Sequence, residues 1–223
     1  MDALTERVMK QLKKKDLSQI SQQIGADEKT TQSALSAVMP LLVSALANNA
    51  AKPEGAQSLH QALAEDHDGS ILNNLGGFLS NPQAANGAGI LGHILGAQQP
   101  VVTQTVAQGA GLQSDQMGQL LQIAAPLLMG ALGQQQQQQG LDTNALSGFL
   151  GSQHQQAQQA NPDLMNVLDS LLDVDQDGTS LDDIAGMVGR LFKKRKTSTA
   201  REKTQSTGRR GKARATARKT STE

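Results

Sequence analysis

Four residues near the C-terminal end of the chain carry oxygen ligands at the spacing of a calcium-binding loop. Such loops place ligands at positions 1, 3, 5 and 7 and a glycine at position 6, which is Gly178 in this chain. Position 12, normally a bidentate glutamate, is Ile184, so the ligand set is incomplete. Two interpretations remain open: a calcium site, or an acidic turn that caps the following helix. The four residues are Asp173, Asp175, Asp177 and Thr179.

Electrostatic binding of phosphates is a second chemistry, indicated by residues 193–223. This segment contains twelve Lys and Arg residues against two Glu residues, and it has no aromatic residue. Spaced basic residues bind phosphates by counterion release, whereas base stacking needs aromatic side chains. We expect the segment to be disordered, because it has no large apolar residue to bury. We also expect it to bind nucleic acid or another polyanion nonspecifically. The basic residues are Lys193, Lys194, Arg195, Lys196, Arg201, Lys203, Arg209, Arg210, Lys212, Arg214, Arg218 and Lys219.

The charge of the chain is segregated, although its formal net charge is zero. Residues 1–192 contain eight basic and eighteen acidic residues, so an acidic body precedes the basic tail, residues 193–223. This asymmetry is typical of proteins whose partner is an anionic polymer or surface. Three other roles for the tail remain open: a solubilising arm, an autoinhibitory arm that folds back on the acidic body, or contact with an anionic membrane or ribosomal RNA.

Residues 87–92 match the glycine pattern G-x-G-x-x-G of dinucleotide-binding loops. That function needs a strand before the loop, and the preceding residues 80–86 are turn formers instead. We therefore expect a structural role, in which Gly89, Gly92 and Gly96 allow helices to approach one another closely.

The remaining residues do not indicate an enzyme. His60, His67, His93 and His154 share no metal-binding spacing, and no nucleophile elbow of the form G-x-S-x-G occurs. His93 lies in an apolar stretch, so we expect it in the core with a hydrogen bond to a backbone carbonyl. The expected protein is non-enzymatic and has no cofactor, apart from the calcium alternative.

The elements that position these residues are predicted to be helices, in an all-α fold. Apolar residues recur three or four positions apart in several stretches, and no stretch alternates with the period of a strand. The scarcity of aromatic residues, three Phe with no Trp or Tyr, also favours closely packed helices. One apolar stripe, over 35–46, begins behind Asp27, a predicted N-cap. Pro40 within this stripe predicts a kink or break near Met39.

The helical body is internally repeated. Residues 25–46 align without gaps on residues 111–132 at an offset of 86. The alignment has seven identities in 22 positions, which is more than unrelated sequences share, and it matches Pro40 with Pro126. We therefore expect two copies of one multi-helix unit packed together.

The repeat divides the chain into an N-terminal helix, a helical domain of two copies and the disordered basic tail. The second copy is longer because of a glutamine-rich stretch, which is predicted to be a flexible polar insertion. The predicted boundaries are 1–15 for the helix, 16–192 for the domain, about 16–96 and 102–192 for the copies, 134–160 for the insertion and 193–223 for the tail.

Five short stretches of the body, in this order, resemble a bacterial domain family of unknown function, numbered 937, to which the YidB-like proteins look related. The resemblance covers most of 16–192 and implies a bacterial source and a helical fold, without any established activity. The stretches are 24–27, 40–42, 53–56, 66–70 and 89–96.

Composition also indicates a compartment. The chain has no cysteine, which fits a reducing environment, and residues 1–15 lack the apolar core of a signal peptide. No apolar run approaches the roughly 20 residues of a membrane-spanning helix. We expect a cytoplasmic protein whose helical body self-associates or packs against partners.

Overall fold

The computed structural model describes residues 3–160 together with Pro162 and Asn166, which are helical and exposed. No residue in this part of the chain belongs to a β-strand, so the all-α prediction is confirmed. The α-helices are α1 (Ala3–Gln11), α2 (Lys14–Ile24), α3 (Glu28–Ala50), α4 (Pro53–Glu65), α5 (Ser70–Asn73), α6 (Leu75–Ser80), α7 (Gly87–Leu95), α8 (Gln99–Ala110), α9 (Ser114–Gln139) and α10 (Thr143–Ala160). Short 3-10 helices occupy Pro82–Ala85 and Gly96–Gln98.

Two long helices, α3 and α9, form the centre of the fold. Every residue over 37–46 of α3 is buried, as is every residue over 120–133 of α9 except Gln122. A helix that is apolar on all sides is typical of a protein core. The helices α1, α2, α4, α5, α7 and α8 pack against α9, while α10 lies along α3.

The expectation that no apolar run approaches the length of a membrane-spanning helix is wrong, because within the described residues α3 has that length and an apolar composition. Its most apolar stretch is 72% buried by the neighbouring helices of the same fold. This is the burial expected of a core helix.

A proline lies inside each central helix, Pro40 in α3 and Pro126 in α9. Of the kink or break predicted near Met39, the break does not occur, since α3 continues without interruption to Ala50. Proline removes one backbone donor from a helix, and burial of the surrounding apolar residues on all sides outweighs that loss.

Local signals define the ends of the first helices. The predicted N-cap of α3 is confirmed: Asp27 Oδ1 accepts a hydrogen bond from the backbone N–H of Thr30 at 2.9 Å. Hydrogen bonds from Thr30 hold the pKa of Asp27 below its usual value. The helix expected over 1–15 ends at Gln11, and the next helix begins at Lys14.

Most of the glutamine-rich stretch 134–160 is helical, so its prediction as a flexible insertion is wrong. Residues 134–139 are the last turns of α9, and most of the rest forms α10. Glutamine is a good helix former, and its amide can hydrogen-bond backbone groups elsewhere in the fold. Gln153 is 3% exposed, and its Oε1 accepts a hydrogen bond from the Ala3 N–H at 2.8 Å.

Candidate functional site

The residues predicted to bind ions or polyanions lie outside the described part of the chain. This holds for the calcium ligands Asp173, Asp175, Asp177 and Thr179 and for all twelve basic residues of the tail. Among the residues that the structure does describe, no group of three His, Asp or Glu side chains is placed to hold a metal ion.

The first acidic turn, residues 66–70, is described, and its Asp68 side chain closes a local hydrogen-bonded turn before α5. Asp68 Oδ1 accepts a hydrogen bond from the backbone N–H of Ser70 at 2.9 Å, at the start of α5. That hydrogen bond lowers the pKa of Asp68. Gly69 has a φ of +92°, a left-handed conformation that side chains with a Cβ rarely adopt.

The same turn is pressed against the C-terminal half of α9. Gln134 Nε2 donates a hydrogen bond to the Gly69 carbonyl at 3.2 Å. A Cβ added at Gly133 would overlap the carbonyl oxygen of His67, and one added at Gly130 would overlap the side chain of Ile71. The glycines of α9 therefore create the space in which the turn fits.

The glycine motif over 87–92 lies at the start of α7. A 3-10 helix, Pro82–Ala85, precedes it where a dinucleotide-binding loop would need a strand. The Asn86 side chain caps α7 by accepting a hydrogen bond from the Gly89 N–H at 3.3 Å. The motif therefore has the geometry of a capped helix start.

The packing role expected for three of these glycines is wrong. A Cβ added at Gly92 or Gly96 would meet nothing within 4 Å, and one at Gly89 would meet only the Asn86 cap of the same helix. Gly87 is the close-contact residue, because a Cβ there would overlap the carbonyl oxygen of Gln122 in α9. No local sequence signal distinguishes Gly87, since the contact depends on where α7 crosses α9.

His93 is exposed, so its prediction as a core histidine is also wrong. The buried face of α7 is formed by Ile90, Leu91, Ile94 and Leu95, and His93 points away from that face.

His154 makes a contact that sequence reasoning missed. Its Nδ1 lies 2.8 Å from Ser44 Oγ, although the two residues are 110 positions apart. This is a distance at which histidine can activate a serine nucleophile. Ser44 is 0% exposed inside the core helix α3, however, so a substrate has no access to its hydroxyl. The pair joins α10 to α3.

One surface cleft of the described fold is lined by uncharged amides. It has a volume of about 740 Å³ and lies between α2, the end of α6, the start of α7 and α9. Amide side chains offer both donors and acceptors without net charge. The lining residues are Gln23, Ser80, Asn81, Pro82, Gln83, Asn86, Gly87, Ala88, Gln119, Gln122 and Ile123.

A second surface depression, of about 470 Å³, is basic and apolar, and we call it the lysine-rimmed groove. It lies where the end of α1, the start of α2 and the start of α3 meet. Six of the seven Lys and Arg residues over 3–160 fall between positions 7 and 29, so the first helices are the most basic part of the described chain. The groove is lined by Met9, Leu12, Lys13, Lys14, Leu17, Glu28, Lys29 and Gln32.

Comparison with known proteins gives one match. The model of a family described as "Bacterial protein of unknown function (DUF937)" matches residues 6–135, from α1 through most of α9. The match begins earlier and ends earlier than the resemblance expected over 16–192. No curated protein and no solved structure matches the chain.

Proposed function

The chain belongs to the DUF937 family of bacterial proteins of unknown function, and we propose that it is a non-enzymatic, cytoplasmic helical protein that binds polyanions through its basic tail. The observation that carries the proposal is the separation of charge along the chain. The tail has twelve basic and two acidic residues, whereas residues 161–192 have one basic and seven acidic residues. Nucleic acid is the polyanion that we propose for the tail, since each phosphate that a basic residue neutralises releases condensed counterions.

The non-enzymatic part of the proposal is supported by the site geometry. Ser44 and His154 form a nucleophile–base pair by distance, yet the Ser44 hydroxyl is enclosed by the core. Because Ser44 lies in the interior, its hydrogen bond to His154 serves to join α10 to α3. The bond of 2.7 Å from Ser147 Oγ to the Ala50 carbonyl joins the same two helices.

The body is further proposed to contain two copies of one helical unit. In support, α2 and α8 both end at a glycine with positive φ, Gly25 at 68° and Gly111 at 73°. A long core helix with an internal proline follows each glycine. Conformation and burial thus agree with the sequence alignment at the same offset of 86.

A gel-shift experiment with duplex DNA tests polyanion binding. The full chain is compared with a chain that lacks residues 193–223 and with a full-length variant in which the twelve basic residues are Gln. We expect both variants to lose binding, and binding of the full chain to weaken steeply with salt, by about 0.9 in logarithmic slope per phosphate neutralised. Equal retardation of all three proteins would contradict the proposal.

A second candidate function is an interaction module, and the amide-lined cleft favours it. Neutral amides suit a ligand with its own donors and acceptors, such as a peptide backbone. N-methylacetamide, a probe of the peptide bond, is expected to shift the side-chain NMR signals of Gln119 and Gln122. Gln104, exposed on α8 outside the cleft, is the control. Equal shifts at all three residues would contradict binding in the cleft.

The interaction module of this second candidate is also proposed to bind calcium, because the spacing of four residues matches a calcium-binding loop. These residues are Asp173, Asp175, Asp177 and Thr179. In the related turn at 66–70, the Asp68 side chain accepts a hydrogen bond from the backbone N–H of Ser70. Isothermal calorimetry of the full chain with calcium separates the two interpretations. Heat that disappears in Asp175→Asn supports an ion site, and no heat at millimolar calcium excludes one.

A further inference from the structure

The lysine-rimmed groove has two chemical requirements for an occupant. Its floor is made by Met9, Leu12 and Leu17, which pack against the core on one side and are only partly buried. Its rim carries the ammonium groups of three lysines and one carboxylate, Glu28. An occupant must therefore bring apolar side chains for the floor and negative charges for the rim. The rim lysines are Lys13, Lys14 and Lys29.

Three other charged side chains near the groove, those of Lys10, Asp16 and Asp27, are already engaged. Lys10 pairs with Glu6 at 2.7 Å within α1. The buried carboxylate of Asp16 accepts a hydrogen bond from the Lys13 backbone N–H at 2.9 Å, and Asp27 caps α3. The side chains of the three rim lysines are thus available to an external or intramolecular anion, with Glu28 as the opposing charge.

The segment that follows α10 most closely in the chain meets both requirements. Residues 163–177 combine five apolar residues at helical spacing with five aspartates. The basic tail fits neither requirement, and a nucleic acid backbone brings no apolar side chains to the floor. The apolar residues are Leu164, Val167, Leu168, Leu171 and Leu172, and the aspartates are Asp163, Asp169, Asp173, Asp175 and Asp177.

The direction of α10 brings the chain toward the groove. Ser147 bonds the Ala50 carbonyl and His154 bonds Ser44, so α10 runs antiparallel to α3, toward the end of α3 that lines the groove. From Ser44 to Lys29 the axis of α3 covers about 22 Å. A helix that continued α10 in this direction would cover the same distance in about fifteen residues, which reaches Asp169.

We propose that residues 163–177 dock into the lysine-rimmed groove of the same chain. The five apolar residues of this segment, which we call the leucine stripe, would contact Met9, Leu12 and Leu17, and its aspartates would contact the rim lysines. The groove is thus an intramolecular interface between the acidic C-terminal end of the body and its basic first helices. This inference goes beyond the tail's polyanion binding and does not depend on it.

Disulfide trapping in the full chain tests the proposal, since the chain has no cysteine of its own. Gln32→Cys places a thiol in the groove, and Leu168→Cys places one on the leucine stripe. The matched control, Ser33→Cys with Leu168→Cys, uses the adjacent exposed residue outside the groove lining. Docking is expected to make the first pair close within one chain about tenfold faster than the control, because it raises the local concentration of the thiol.

A charge substitution separates docking from random encounter. Lys29→Glu in the Gln32→Cys, Leu168→Cys background is expected to lower the rate by about twofold to fivefold, the range of an exposed ion pair. Lys52→Glu, at the start of α4, is the control and should leave the rate unchanged.

Three results would overturn the proposal. The first is an equal rate of disulfide formation for the Gln32 and Ser33 pairs. The second is disulfides formed only between chains, which would assign the groove to a second copy. The third is an equal effect of Lys29→Glu and Lys52→Glu on that rate. Circular dichroism of each variant ensures that the fold is retained, so that a slow rate reports on docking.

Discussion

The central helices α3 and α9 are both enclosed by the fold, but they hold their neighbours in different ways. Between α3 and α10, hydrogen bonds from side chains make the contact, from Ser44 to His154 and from Ser147 to the Ala50 carbonyl. Between α9 and the turn before α5, a close backbone approach is added to the hydrogen bond from Gln134, because Gly133 leaves room for the carbonyl of His67. Two equally buried helices can therefore differ in the substitutions that they tolerate. A side-chain contact can be replaced by another side chain, whereas a close contact at a glycine depends on the absence of a Cβ.

The largest expected effect tests what the two helices share. Leu42→Ala in α3 and Leu128→Ala in α9 each remove a side chain that is 0% exposed, at positions matched by the repeat. Each should lower the free energy of unfolding by about 2–5 kcal/mol, since each leaves a core cavity. Urea unfolding followed by circular dichroism measures the loss. A loss below about 1 kcal/mol for either variant would show that its helix is not central.

A smaller effect should distinguish α9 from α3. Gly133→Ala places a Cβ against the His67 carbonyl, and the overpacking should cost about 1–3 kcal/mol of unfolding free energy. Gly148→Ala in α10 is the control, because a Cβ there meets nothing within 4 Å. It should stabilise the protein by up to about 1 kcal/mol through helix propensity. If both variants behaved alike, the close contact at Gly133 would be disproved.

The contact on the α3 side should respond less. Ser44→Ala removes one partner of a hydrogen bond to the half-buried His154, at an expected cost of about 1 kcal/mol in unfolding free energy. Ser36→Ala is the control, since that hydroxyl bonds only the Gln32 carbonyl of its own helix and should matter by less than about 0.5 kcal/mol. Equal losses would mean that the Ser44–His154 pair adds nothing to the packing of α10.

The smallest effect concerns pH and the turn on α9. Burial lowers the pKa of His67 below 6.5, although the neighbouring Asp66 and Asp68 act in the opposite direction. The unfolded chain therefore binds this proton more readily than the folded chain. The stability contributed by neutral His67 is complete above pH 6.5 and decreases as the pH falls toward the folded pKa. His67→Gln should flatten this part of the stability profile. Parallel profiles for His67→Gln and the unchanged protein would refute the assignment.

Periodicity and capping could be predicted from the sequence because both depend on neighbours within a few residues. The stripe over 35–46 and the Asp27 cap are of this kind. Gly87 and Gly133 could not be predicted, since their importance arises where two helices cross. The same holds for Ser44 and His154, whose contact joins residues 110 positions apart.

The glutamine-rich stretch shows the limit of composition as a guide. Gln135, Gln136 and Gln153 are buried, although polar residues in low-complexity runs are usually exposed. Their placement depends on backbone groups far along the chain, such as the Ala3 N–H for Gln153. No local pattern could indicate those partners. The lysine-rimmed groove could not be predicted from the sequence, since it forms only when α1, α2 and α3 are assembled.

The amide of Gln153 has a consequence for how the fold opens. It accepts hydrogen bonds from the first backbone donors of α1, so the beginning of the described chain is capped by a residue 150 positions later. If α1 separates from α10, those donors lose their partner. Hydrogen exchange should accordingly show α1 and α10 opening together.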